Sequence, residues 1–168
     1  MNIFKKLIRN FYENKLDRIK IISQLRRYHE KKYISMELLS MLLGVFKVQE
    51  TRVKDIMIPR SNMVIIKKNS SISEILPLII KSSHSRFPVI LENKDEVVGI
   101  LLAKDLLKFI NNDTEIFNID EIIRPSVIIP ETKKLNVLLS EFKSGRNHLA
   151  VVVDEYGGVS GLITIEDV

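Results

Sequence analysis

The chain has 168 residues, 45% hydrophobic and 28% charged, so it has enough apolar content for a folded core and is not a disordered tail. It contains no cysteine, which excludes disulfides, thiolate metal sites and a cysteine nucleophile. The net charge of +5 is uneven: residues 1–50 hold 11 Lys/Arg against 5 Asp/Glu, whereas residues 51–168 hold 15 against 16.

The basic first third reads as helical. Phe4, Leu7, Ile8 and Phe11 recur at helical spacing, and Ile19 and Ile22 continue a weaker pattern. Ser35 is placed to cap a second helix over 36–46, with Glu37 in its first turn. A basic helix can dock on an anionic membrane, or its charges can simply be a solvated face. No Arg/Lys cluster is interleaved with aromatics, so no nucleic-acid partner is expected. The longest mostly apolar stretch, 36–46, is far short of the ~20 residues a spanning helix needs. No signal-peptide pattern follows Met1. The expected location is the cytoplasm.

From Thr51 short apolar runs alternate with helical segments. Strands are expected at 63–66, 87–91 and 97–102, with helices at 70–81, where Ser71 and Glu74 fit a capping box, and 104–110. The same order recurs as strands at 127–129, 149–154 and 159–164 around a helix at 133–143. Val64-Ile65-Ile66 matches Val127-Ile128-Ile129 at an offset of 63, and Arg86 to Val89 matches His148 to Val151 at 62. Gly99 and Asp105 match Gly161 and Asp167, also at 62. The fold class is therefore α+β (mixed α/β): two diverged β-α-β-β-α units behind a helical N-terminal segment. The divisions are 1–50, 51–113 and 114–168. A three-stranded half cannot cover both its faces, so the repeats should pack together.

Each repeat ends strand–turn–helix. Thr164 stands at a helix start, where free N–H groups and a hydroxyl can hold a phosphate or ribose oxygen. Asp167, an acceptor when ionised, suits a ribose diol, and Gly161 leaves room for a ligand. Thr-x-x-Asp is equally a plain capping box. In the first repeat Asp105 is retained, but Leu102 replaces the threonine, so a site there is weaker or empty. Arg86 can grip phosphate bidentately or serve as a surface ion-pair partner. His148, its counterpart, is a further candidate or only a polar strand end. No P-loop, nucleophile elbow, paired histidines or metal-binding carboxylate cluster is present, so neither an enzyme nor a metal site is expected.

These motifs resemble a known family. The tandem unit is similar to a pair of cystathionine-β-synthase (CBS) domains, a Bateman module. Thr51-Arg52-Val53-Lys54-Asp55-Ile56-Met57-Ile58-Pro59-Arg60 resembles the leading signature of the CorC/HlyC family of magnesium and cobalt efflux proteins. Ser83 to Val89 and Asp154 to Asp167 resemble two further family motifs. The resemblance implies adenine nucleotide, AMP or ATP with or without Mg²⁺, in the cleft between the repeats. It implies a site drawn from Thr164, Asp167, Arg86, Ser85, His148 and Asp105, with Val127 and Ile129 flanking the base. It also implies a homodimer, here expected through the helix faces of Ile75, Ile79, Leu135, Leu138 and Phe142. The implied role is regulatory, in magnesium and cobalt efflux, alongside a membrane transporter or at the inner membrane face. A dimerisation module without ligand is the competing reading. Family members often carry a preceding membrane domain and a following helix and small domain, so the chain resembles the short soluble branch, ending before those last elements.

Overall fold

The computed structural model describes residues 3–110 and 117–168, with side chains described over 17–109 and 117–168. It divides into two compact units, Met1–Glu50 and Thr51–Val168. The first holds α1 (Ile3–Glu30) and α2 (Met36–Glu50). The side chains of Phe4, Leu7, Ile8 and Phe11 lie outside the described residues. Arg18 joins the two helices. Its guanidinium donates to the Phe46 carbonyl at 2.6 Å, sits 5.5 Å from the Phe46 ring centroid and pairs with Glu50. The Ser35 hydroxyl accepts the Leu38 N–H at 3.1 Å, which supplies the expected cap.

The second unit contains two mixed sheets. One is ordered β2 (Ile66–Lys67), β3 (Arg86–Ile90), β4 (Val97–Leu102), with β2 and β3 parallel and β4 antiparallel. The other is ordered β1 (Ile58–Pro59), β7 (Val159–Thr164), β6 (Leu149–Val153), β5 (Val127–Pro130). Three helices accompany them: α3 (Ile72–Ser82), α4 (Leu107–Ile110) and α5 (Leu135–Gly145). The capping box at α3 is formed, with the Glu74 carboxylate accepting from the Ser71 N–H at 2.8 Å and from its hydroxyl at 3.1 Å. This holds the Glu74 carboxyl below its ordinary range, chiefly through the Ser71 N–H. The expected strand over 63–66 shrinks to β2: Met63 and Ile65 pack at the seam with the second repeat, while Val64 packs on the core of the first half. The boundary expected at 113/114 lies outside the described residues.

The repeats exchange their leading segments. β1 belongs to the first repeat by sequence, yet pairs antiparallel with β7, Ile58 opposite Leu162 and Pro59 opposite Gly161. The second repeat reciprocates: Ile100 and Arg124 exchange backbone hydrogen bonds of 2.8 and 2.9 Å. Upstream of β1, the Thr51 carbonyl accepts the Leu135 N–H at 3.1 Å and so caps the start of α5.

One sequence register is corrected. Arg86 faces Leu102 across its sheet, and Leu149 faces Thr164 across the other. The Ala103 N–H donates to the Ser85 carbonyl, and the Ile165 N–H to that of His148. His148 therefore corresponds to Ser85, and Arg86 to Leu149. The missing residue of the second repeat lies in the β6–β7 turn, not before β6.

Apolar side chains fill each half and the seam between them. Ile66, Ile75, Phe87 and Leu101 centre the first half. Met63 and Ile100 of the first repeat pack with Leu149, Val151, Val159 and Leu162 of the second, as packing between the repeats requires. Ile75, Leu135, Leu138 and Phe142 are all at most 2% exposed. They are core residues of this chain, not an open dimer face: Ile75 of α3 packs with Ile66, Phe87, Val89 and Leu101 of the first sheet, and each such burial is worth ~1.5–3 kcal/mol.

Candidate functional site

The seam opens into two clefts that share a wall. The smaller, about 310 Å³, has Ile58, Met63 and Val64 on one side and Leu149 and Leu162 behind. Ser85, Arg86, Thr164 and Glu166 supply its polar groups. The larger, about 580 Å³, is lined by Lys104, Arg124, Arg146 and His148 together with Leu102. His84, Ser85, Arg86 and Leu149 border both. Both volumes are within the usual range for small-ligand sites.

Three devices position the smaller cleft. The exchange of β1 carries Ile58 onto the second repeat. The segment between β1 and β2 then delivers Met63 and Val64 opposite Thr164. Finally, α3 ends in a left-handed residue, Ser83 at φ 56°, which turns the chain so that Ser85 and Arg86 start β3 at the cleft.

Thr164 ends β7 and starts a 3-10 turn, Ile165–Asp167. Oδ2 of Asp167 accepts the Thr164 N–H at 2.8 Å and the Thr164 hydroxyl at 2.7 Å. The capping geometry is thus formed at the rim of the cleft. It engages one carboxylate oxygen; Oδ1 has no hydrogen-bond partner among the described residues. An exposed Asp167 with a vacant acceptor oxygen can serve as cap and as acceptor for a diol.

The first repeat is built differently. Arg124 Nη2 lies 3.0 Å from Asp105 Oδ2, so Asp105 is already paired. Leu102 provides no hydroxyl there. Arg124 stands where the second repeat's cleft has Ile58, since both are the residues exchanged between sheets.

Several expectations are corrected. Val127 and Ile129 do not line either cleft: β5 lies on the far side of β6 from β7, and Ile129 is 1% exposed in the core. The apolar walls come from Ile58, Met63 and Val64. The space beside Gly161 is taken by the β1 backbone, not left for a ligand. His148 lines the larger cleft and not the smaller, while Asp105, held by Arg124, and Asp167, which caps Thr164, line neither. Glu166, Lys104, Arg124 and Arg146 were not expected at all. Offset mapping with the corrected register points to them, because they or their repeat mates flank the motifs already singled out. Among the described residues, no group of three or more His, Asp or Glu is arranged to hold a metal, and no helix is long and apolar enough to cross a membrane.

The family model for the CBS domain matches twice, over residues 53–112 and 119–168. The magnesium and cobalt efflux protein CorC of Salmonella typhimurium is 46% identical over 158 residues, 94% of this chain and 54% of that protein. The chain thus spans about half the length of the curated relatives it matches. A conserved protein domain of unknown function from Neisseria meningitidis MC58 superposes with a TM-score of 0.82 at 48% identity, covering 88% of this chain and 96% of that one. The CBS domain of the bacterial CNNM/CorC family Mg²⁺ transporter in complex with ATP superposes at 0.71 with 37% identity, covering 76% and 90%. Two matched repeats, a shared fold and this level of identity lead to one conclusion: the chain belongs to the CBS-domain family, as a tandem pair of the CorC type.

Proposed function

We propose that the chain is a regulatory module that binds one adenine nucleotide in the smaller cleft and tunes magnesium and cobalt efflux. The observation that carries this reading is the Thr164–Asp167 pair at the rim of a cleft with apolar walls, in a chain similar to a CBS domain solved with ATP. The base lies between Ile58, Met63, Val64 and Leu162. The vacant Asp167 oxygen accepts from the ribose hydroxyls. Ser85, Arg86 and the Thr164 hydroxyl face the phosphates, Arg86 through its planar fork. His148 and Asp105 are left out of the nucleoside site. The nucleotide is AMP or ATP, with or without Mg²⁺.

The domain division supporting this role is a basic helical segment over 1–50, a first CBS domain over 51–113 and a second over 114–168. The ion pathway belongs to a membrane transporter on whose cytoplasmic side the module works. The module works as a homodimer, and exposed Ile80, Leu107 and Val137 on α3, α4 and α5 support its helical faces as the contact. Calorimetric titration with AMP and ATP, with and without Mg²⁺, is the test. Binding of one nucleotide per chain is expected. No binding of either would favour a purely structural module, a reading supported by the paired Asp105 and by Leu102 in the other cleft.

A further inference from the structure

The segment from Arg60 to Ile65 joins β1 to β2 and gives the smaller cleft one wall through Asn62, Met63 and Val64. It is longer than its equivalent in the second repeat. Ile58 and Val64 stand six positions apart, whereas their counterparts, Arg124 and Val127, stand three apart. Within it the backbone makes one 3-10 turn, Arg60–Asn62, closed by a long 3.4 Å bond from the Met63 N–H to the Arg60 carbonyl. A stretch with so little backbone pairing of its own depends on side chains for a fixed place.

Those side chains come from the turn between β3 and β4. Lys94 Nζ donates to the Arg60 carbonyl at 2.6 Å and to the Met63 carbonyl at 3.4 Å, and so spans the 3-10 turn. Beside it, Asp95 accepts from the Arg60 guanidinium at 2.5 and 2.7 Å and from the Val159 N–H at 2.9 Å. The turn is braced in its own right: Asn93 Oδ1 accepts the Asp95 N–H at 2.8 Å, and Asn93 Nδ2 donates to Glu96 at 3.0 Å. Lys94 is half-buried and lines neither cleft. The matching turn of the second repeat, 154–158, contains no lysine or arginine.

We infer that Lys94 is a positioning residue of the smaller cleft: by bridging the Arg60 and Met63 carbonyls it fixes the wall against which an adenine base packs, without touching the ligand. The inference rests on the nucleotide reading proposed for that cleft. An ammonium carries three N–H donors and serves both carbonyls at once; an alanine serves neither. A released wall samples other positions, and affinity falls with the fraction of time the wall is in place.

The test combines calorimetric titration of the full chain with AMP and ATP and methyl NMR of methionine-labelled protein, the Met63 signal being assigned through Met63→Leu. Lys94→Ala and Lys94→Arg are compared with Lys133→Ala, which removes an ammonium bound to Glu141 outside both clefts. Without ligand, Lys94→Ala should shift or broaden the Met63 signal and leave those of Met36 and Met41 on α2 in place. It should weaken AMP and ATP about tenfold, and equally. Lys94→Arg keeps a cationic donor and should recover part of both changes. Lys133→Ala should move neither, whatever it does to the melting temperature. The inference is overturned if the Met63 signal stays put in Lys94→Ala, if affinity holds although the signal moves, or if Lys133→Ala lowers affinity as much. A far larger loss for ATP than for AMP also overturns it, since that would mark a direct phosphate contact. If the unaltered chain binds neither nucleotide, the nucleotide reading fails, and the ligand-free Met63 signal alone decides whether Lys94 holds the wall.

Discussion

Gly161 lies against Ile58: a Cβ at residue 161 would fall 2.2 Å from the Ile58 carbonyl oxygen. Gly99 stands in the same relation to Arg124, at 2.8 Å. Both glycines admit the segment that the other repeat contributes to the sheet. Gly161→Ala should therefore push β1 off β7 and destabilise the chain by ~1–3 kcal/mol, with Gly99→Ala milder. Gly44, in the middle of α2, meets nothing within 4 Å, and Gly44→Ala should stabilise by about 0.5–1 kcal/mol through helix propensity. Urea denaturation of the three variants checks the order, and equal effects would remove the packing explanation.

Asp167 and Asp105 should differ sharply in nucleotide binding. Asp167→Ala removes a vacant acceptor and should weaken the nucleotide by roughly 10- to 100-fold. Asp105→Ala should change affinity little, because Arg124 already occupies that carboxylate. Thr164→Ala breaks the cap as well as the phosphate contact proposed for its hydroxyl, so it should cost ~1 kcal/mol of stability in addition to affinity. Titration and melting temperature together decide; a larger loss from Asp105→Ala would reverse the site assignment.

Asp95 links the repeats and should make stability acid-sensitive. It accepts from Arg60 at 2.5 and 2.7 Å and from the Val159 N–H at 2.9 Å. The Arg60 hydrogen bonds, then the Val159 N–H, hold its carboxyl below the ordinary range. A folded value below the unfolded one means the contribution is complete above the unfolded carboxylate's pKa of ~3.9 and is lost as pH falls through the folded value. Asp95→Asn should lower the melting temperature at neutral pH and flatten its decline on acidification. Parallel acid limbs in the two proteins would show that Asp95 is not a source of that decline.

Self-association should depend on exposed helix positions and not on the buried stripe. Ile80 is 75% exposed on α3, whereas Leu138 on α5 is fully buried. Ile80→Lys should leave unfolding nearly unchanged and weaken the dimer in light scattering. Leu138→Ala should instead cost ~2–5 kcal/mol of stability. A dimer insensitive to Ile80→Lys and to matching changes at Leu107 and Val137 would place the contact elsewhere.

The basic N-terminal unit should be dispensable for nucleotide binding. Cutting after Glu50 spares Thr51, whose carbonyl caps α5. Removing residues 1–50 takes away a net +6, so binding to anionic vesicles should fall while nucleotide affinity holds. A parallel loss of nucleotide affinity would refute this independence.

Local patterns were enough to read most of the elements. Period and capping signals placed α3, α5 and the β3–β4 and β6–β7 hairpins within a few residues, because helix and strand formation depend on neighbouring side chains and backbone groups. The repeat itself was legible for the same reason, and with it Thr164, Asp167 and the loss of the hydroxyl at Leu102. What sequence spacing could not convey was which strands sit side by side. The exchange of β1 and of Arg124 between the sheets is set by long-range backbone pairing and by the two glycines that permit it. That exchange puts Ile58, and not Val127 or Ile129, in the apolar wall of the smaller cleft beside Met63 and Val64, and gives Asp105 an arginine partner. The burial of Leu135 and Phe142 was likewise decided in three dimensions. An apolar helix stripe looks the same in sequence whether it covers its own sheet or a second chain, and the area each sheet leaves uncovered decides between them.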